Sequence, residues 1–167
     1  MNRIDTARSV FERLLEAITV LLIISLAAVV VLGIIYRWAG EALSWYDEVA
    51  SVQLAWLTYF GASLAALKRA HIGVPGLIAA VPPLYRVPLV ILAESIIIGF
   101  FLMLAWYGYV VLVILEGDTL ISLPWIGTQF TQSVIPIGAI LFVIAELLNL
   151  PQILREATGH AAYMRHE

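Results

Sequence analysis

The chain has 167 residues, 62% of them hydrophobic and 13% charged, with a formal net charge of −3. A soluble domain carries about 25% charged residues, so this chain has too little polar surface to cover a globule in water. That excludes a soluble enzyme, a nucleic-acid binder and a disordered chain, and the absence of cysteine excludes a disulfide framework or a thiolate metal site.

The composition reads as a small all-α membrane protein surrounded by the lipid bilayer. A spanning helix needs about 20 mostly apolar residues. The first such run, Ala17 to Tyr36, lies between Glu16 and Arg37. Arg3, Arg8 and Arg13 precede it, and Ser25-Leu26-Ala27 resembles a small-residue cleavage site. The run continues to Trp38, however, which is too long for a signal peptide, so the expectation is a retained helix. The second span runs from Val49 to Leu67, between Glu48 and Lys68. The third covers Val87 to Leu115, interrupted only by Glu94. The fourth starts near Thr128 or Gln129, because Pro124 and Gly127 disfavour an earlier start, and Asn149 and Pro151 are expected to close it. The predicted architecture is one four-helix membrane domain over 1–167, with spans at about 14–37, 45–67, 87–115 and 128–150 and a polar tail over 151–167.

Basic residues set the predicted orientation. Arg3, Arg8, Arg13, Lys68, Arg69, Arg86, Arg155 and Arg165 fall on one side of the membrane, and only Arg37 falls on the other. By the positive-inside rule both termini are cytoplasmic. The outer loops carry Glu41, Asp47, Glu48, Glu116 and Asp118.

Two further segments read as lying on the membrane surface. Ile4, Ala7, Phe11, Leu14 and Ile18 recur at helical spacing, which makes an amphipathic lead-in continuous with the first span. In the cytoplasmic loop, Pro75 can start a short interfacial helix that presents Leu77, Ile78 and Val81 to lipid and ends at Pro82-Pro83. Trp38, Trp45, Tyr46, Tyr85 and Trp125 fall near span boundaries, where amphipathic rings favour the headgroup layer.

No catalytic constellation is present: there is no Gly-rich phosphate loop, zinc-binding His-Glu-x-x-His or nucleophile elbow. His71, His160 and His166 lack partners at ligand spacing, so neither a cofactor nor a metal is expected. Glu94 and Glu146 lie within spans three and four near their cytoplasmic ends. The middle turns of all four spans lack charge, so these two acids read as snorkelling or pairing with Lys68, Arg69 or Arg86, not as a proton path. Asp47-Glu48 opens span two, where the helix dipole favours negative charge; it reads either as a plain helix start or as a docking point for a partner. Gly61/Ala65 and Ala62/Ala66 are small-x-x-x-small pairs that allow another helix to approach closely. Ile97 on span three reads as lipid-facing. With Gln53, Thr58 and Ser63 as its few polar residues inside span two, the chain reads as a structural partner within a larger transporter.

Specific motifs then carry a resemblance. Tyr36-Arg37, Trp45-x-Asp47-Glu48, Trp56, Gly61-Ala62 and Lys68-Arg69-x-His71-Ile72-x-Val74 resemble the small membrane subunit of the tripartite ATP-independent periplasmic (TRAP) transporters, the DctQ family. Leu123-Pro124-Trp125 and Ile135-Pro136-Ile137-Gly138 resemble that family's approach to its fourth helix. The resemblance runs from about Arg13 to Leu150. Asp47 departs from it where a second glutamate is common, and Ala70 where glycine or a small polar residue is usual.

The resemblance implies an inner-membrane scaffold subunit. Its partners would be a large elevator-type membrane subunit, driven by a sodium gradient, and a periplasmic solute-binding protein that delivers an organic acid. Span two, with its small-residue face and charged ends, is the expected interface with the large subunit, through Trp45, Asp47, Glu48, Trp56, Gly61, Ala62, Ala65, Lys68, Arg69 and His71. Glu41, Glu116 and Asp118 would face the binding protein. Two other readings stay open: the small four-span subunit of a tripartite tricarboxylate transporter, and an independent small carrier or channel that oligomerises around a pore.

Overall fold

The computed structural model describes residues 3–69 and 82–157, and every regular element among them is helical. The elements are α1 (Arg3–Trp38), α2 (Tyr46–Leu67), α3 (Pro83–Ile114), α4 (Thr128–Gln132) and α5 (Val134–Ala157). Four helical segments are long and apolar enough to cross a membrane, the last combining α4 and α5.

α1 is a single uninterrupted helix of 36 residues, about 54 Å long at 1.5 Å per residue. The predicted lead-in is therefore its first turns. It does not lie apart on a surface: Phe11 packs on the core, Leu15 is fully buried, and Arg8 reaches the ends of α2 and α5. Gly40 ends α1. At φ +87° it takes the left-handed conformation of a Schellman cap, with Gly40 N–H donating to the Arg37 carbonyl and Glu41 N–H to that of Tyr36.

α3 begins at Pro83, four residues before the predicted start of span three, because proline at a first helical position gives up only an N–H with no helical partner. The predicted interfacial helix around Pro75, and His71, lie outside the described residues, as does the tail from 158 onward. Span four starts at Thr128 but breaks at Ser133. Pro136 has no N–H to offer the Gln132 carbonyl, and the Ser133 hydroxyl and N–H turn back to the Phe130 carbonyl instead. The expected stop at Pro151 does not occur. α5 runs through Pro151 to Ala157, since the missing bond falls in the last turns, where a freed carbonyl is close to water.

The helices form a row. α2 and α5 are the inner pair, α1 packs on α2, and α3 packs on α5. Leu15, Phe60, Ala66, Leu67, Val134, Phe142 and Ala145 make the core, and the Phe101 and Phe142 rings stack at 3.7 Å where α3 meets α5. α1 and α3 turn broad aliphatic faces outward, including Leu21, Ile24, Leu92 and Ile96. Ile97 is not lipid-facing as expected: it packs against the core cluster, one position around the helix from exposed Ile96.

In lipid the hydrophobic effect does not hold helices together, so contact distance matters. Three glycines serve that need. A Cβ on Gly33 would lie 2.6 Å from the Tyr46 ring, one on Gly108 2.9 Å from Ile135, and one on Gly138 2.6 Å from Tyr59. Those positions fix the α1–α2, α3–α5 and α2–α5 approaches respectively.

Candidate functional site

The polar side chains collect at the two ends of the row. At one end lie the α1–α2 and α3–α4 loops. Glu48, in the first turn of α2, points its carboxylate across to the α3–α4 loop. It accepts from Ile121 N–H at 3.1 Å, from Ser122 N–H at 2.9 Å, and from the Ser122 hydroxyl. The loop adds its own bonds, Leu120 N–H to the Ile126 carbonyl at 3.0 Å and Thr128 N–H to that of Asp118 at 2.9 Å. Asp47 is exposed beside Glu48, and Trp45 occupies the N-cap of α2.

Between the ends, Gln53, Trp56, Thr58 and Ser63 on α2 each donate a hydrogen bond within the chain. Gln53 donates to the Ser25 hydroxyl on α1 at 2.6 Å, and Thr58 donates to its own helix at Leu54. The Ser63 hydroxyl lies 2.9 Å from the Tyr59 carbonyl and 3.2 Å from that of Gly138 on α5. Trp56 donates its indole N–H to the Thr131 carbonyl at 3.0 Å, and its ring packs beside Phe60 and Phe130. It therefore fastens α4 to α2.

At the other end, α2 is closed by groups from its neighbours. Asn149 on α5, fully buried, donates to the carbonyls of Ala66 and Leu67, and Arg8 on α1 donates to Leu67 at 3.1 Å and to Gln152 at 3.4 Å. Lys68 pairs with Glu16 and, at 3.6 Å, with Glu12. The Glu16 carboxylate, by hydrogen bonding Lys68, holds its ammonium above the usual lysine range. Of the two intramembrane acids, Glu94 is half-buried and Glu146 buried, and the Arg69 charge acts on both. Lys68, expected as a possible partner for them, is committed to α1 instead. Arg69 ends α2 in the left-handed conformation at φ +53°, where glycine is usual, and its N–H closes on the Ala66 carbonyl at 2.9 Å.

The expected interface residues thus divide. Trp56, Ala62 and Lys68 contact neighbouring helices of the same chain, and Glu48 clamps a loop. Gly61 is different, because a Cβ placed there meets nothing within 4 Å. It lies on a face of α2 that runs Asp47, Ser51, Leu54, Thr58, Gly61, Ala65 and Lys68, alternating steps of four and three. Of the groups expected to face a binding protein, Glu41, Glu116 and Asp118 are all exposed at the Glu48 end. Asn149 and Arg8 carry more of the structure than their sequence reading suggested, and Ser122 had no sequence reading at all. The one signal available for Asn149 was a polar residue three positions after Glu146, on the same helical face.

This arrangement is four helices in an open row, with polar groups gathered at the two ends of the bundle and a small-residue face of α2 left open. A match to a known family decides the class: residues 26–156 match the DctQ component of the tripartite ATP-independent periplasmic transporters. The chain belongs to the DctQ family. It is accordingly a small membrane component of a TRAP transporter, a transporter family and not an enzyme family. Among curated proteins, none matches the chain.

Proposed function

We propose that this DctQ-family chain is the scaffold partner of the large elevator subunit, in sodium-driven uptake of an organic acid brought by a periplasmic binding protein. It sits in the inner membrane with both termini in the cytoplasm, by the eight-to-one distribution of basic residues. The solute moves through the large subunit, and this chain extends the fixed part of the complex against which that subunit moves. The charged and polar residues of α2 serve helix ends and helix contacts, which suits a scaffold.

The observation that carries the reading is the open face of α2. Gly33, Gly108 and Gly138 are closed over by the chain's own helices, whereas Gly61 is open, as is Gly99 among the bulky side chains of α3. The outer faces of α1 and α3 are mostly bulky and apolar, with aromatics such as Trp106 and Tyr107, but here Ser51, Thr58, Gly61 and Ala65 make a small, hydroxylated strip. Its seven-residue repeat suits a partner helix crossing at about +20°. Asp47, exposed at one end of the strip, would set its register. The tricarboxylate-transporter subunit is displaced by the family match, and an independent channel would need polar groups converging on a shared axis.

Co-purification of the large subunit tests this. Gly61→Leu is expected to lose the large subunit and uptake together, while Ile96→Leu, on an exposed aliphatic face of α3, keeps both. Full retention by Gly61→Leu removes α2 as the docking face.

A further inference from the structure

The α3–α4 loop is held more firmly than a simple connection requires. Ile121 is 93% exposed and Trp125 78% exposed, yet the backbone between Asp118 and Thr128 is closed by hydrogen bonds at both ends, and Leu123 is buried beneath it. Glu48 ties the loop to α2 by hydrogen bonds, with both oxygens of its carboxylate on Ile121 and Ser122. A carboxylate accepting three donors at the edge of a membrane is an expensive group to immobilise, and its effect is to fix the loop tip against α2.

We propose that Glu48 is a positioning residue that holds the α3–α4 loop as a preformed platform for the periplasmic solute-binding protein, with Ile121 and Trp125 at the apolar centre of the contact. This rests on the reading given under Proposed function, which places this end of the bundle in the periplasm. Exposed Glu116 and Asp118 flank the apolar pair, so the complementary surface is apolar at its centre with a basic rim. A loop already ordered before contact spares the binding step the cost of ordering it. The alternative occupant, the headgroup layer of the bilayer, would leave docking indifferent to the loop.

The test uses the chain in complex with the large subunit in liposomes, with initial uptake measured against the concentration of substrate-loaded binding protein. Hydrogen exchange at the Ile121 and Ser122 amides is followed in the same samples. Glu48→Ala is expected to speed exchange at both amides and raise the half-saturating concentration of binding protein about tenfold, with the maximal rate kept. Glu48→Gln, which retains one acceptor oxygen, should fall between. Ile121→Ser should raise half-saturation and leave amide protection unchanged, and its exposed position spares the fold. Unchanged half-saturation in both Glu48→Ala and Ile121→Ser overturns the proposal, as does unchanged protection in Glu48→Ala. Failure of the unaltered chain to hold the large subunit would instead sink the scaffold reading.

Discussion

The side-chain amide of Asn149 on α5 lies 2.8 Å from the carbonyl of Ala66 and 3.3 Å from that of Leu67, so α5 closes the last turn of α2 from across the helix pair. The Ala66 carbonyl also receives Arg69 N–H, and the Leu67 carbonyl receives Arg8. Removing Asn149 therefore weakens the end of α2 without leaving either carbonyl bare. Asn149→Leu, which keeps the branched four-atom shape while adding the bulk of two methyl groups, is expected to cost about 1 kcal/mol for the lost interhelical bonds plus any strain of fitting the larger side chain. Asn149→Ala should cost more, because a cavity is added at a fully buried site. Unfolding of the purified chain in mixed micelles by increasing dodecyl sulfate measures both.

Gly138 and Gly61 make a controlled pair. A methyl on Gly138 would meet the Tyr59 Cβ at 2.6 Å, and the helices must separate to admit it. Gly138→Ala is expected to destabilise the isolated chain by roughly 1–3 kcal/mol. Gly61→Ala meets no atom of this chain, so its effect on the isolated chain should stay within about 0.5 kcal/mol. The same micelle titration separates them. Equal losses would mean that the two glycines do the same work.

Much of this was legible beforehand because lipid imposes simple rules. Apolar runs of spanning length marked the four helices, flanking charges marked most of their ends, and Pro124 and Gly127 marked where the fourth begins. What the sequence left hidden depends on which helices become neighbours. Glu48 read as a helix start or a docking charge, and nothing in the residues near it named Ser122, 74 positions away, as its partner. Small residues were equally ambiguous: Gly61 and Gly138 look alike in sequence, and only the position of Tyr59 tells an internal contact from an open one. Ile97 and Ile96 differ by one helical step of about 100°, which is enough to exchange core for lipid. Pro151 misled because a proline near a helix end removes one bond without stopping the chain.

Lys68 offers a pH-dependent signal. Its hydrogen bond to Glu16 raises the ammonium above the ordinary lysine value of 10.5, so the folded state holds that proton more tightly than the unfolded chain. Stability from the pair is thus fully present at neutral pH and is lost as pH rises through the folded value. The groups are partly exposed, so salt weakens the contribution as well. A small gap in thermal midpoint between the unaltered chain and Lys68→Met is expected at neutral pH and low salt. It should close in strongly alkaline buffer. A gap that widens with pH contradicts the pairing.

The last prediction concerns orientation, on which the docking platform depends. Eight basic residues lie on one side of the four spans and Arg37 alone on the other, a bias that acts during insertion and directs the basic side inward. The chain has no cysteine, so single substitutions report without background. Thr119 is exposed in the clamped loop beside Glu48, and Pro82 is exposed at the opposite end, just before α3. In intact cells with a permeable outer membrane, Thr119→Cys is expected to react with a membrane-impermeant maleimide. Pro82→Cys should react only after the inner membrane is opened. The reverse pattern would put Ile121 and Trp125 in the cytoplasm, where no periplasmic binding protein could reach them. Labelling at both positions in intact cells would instead indicate two orientations of the same chain.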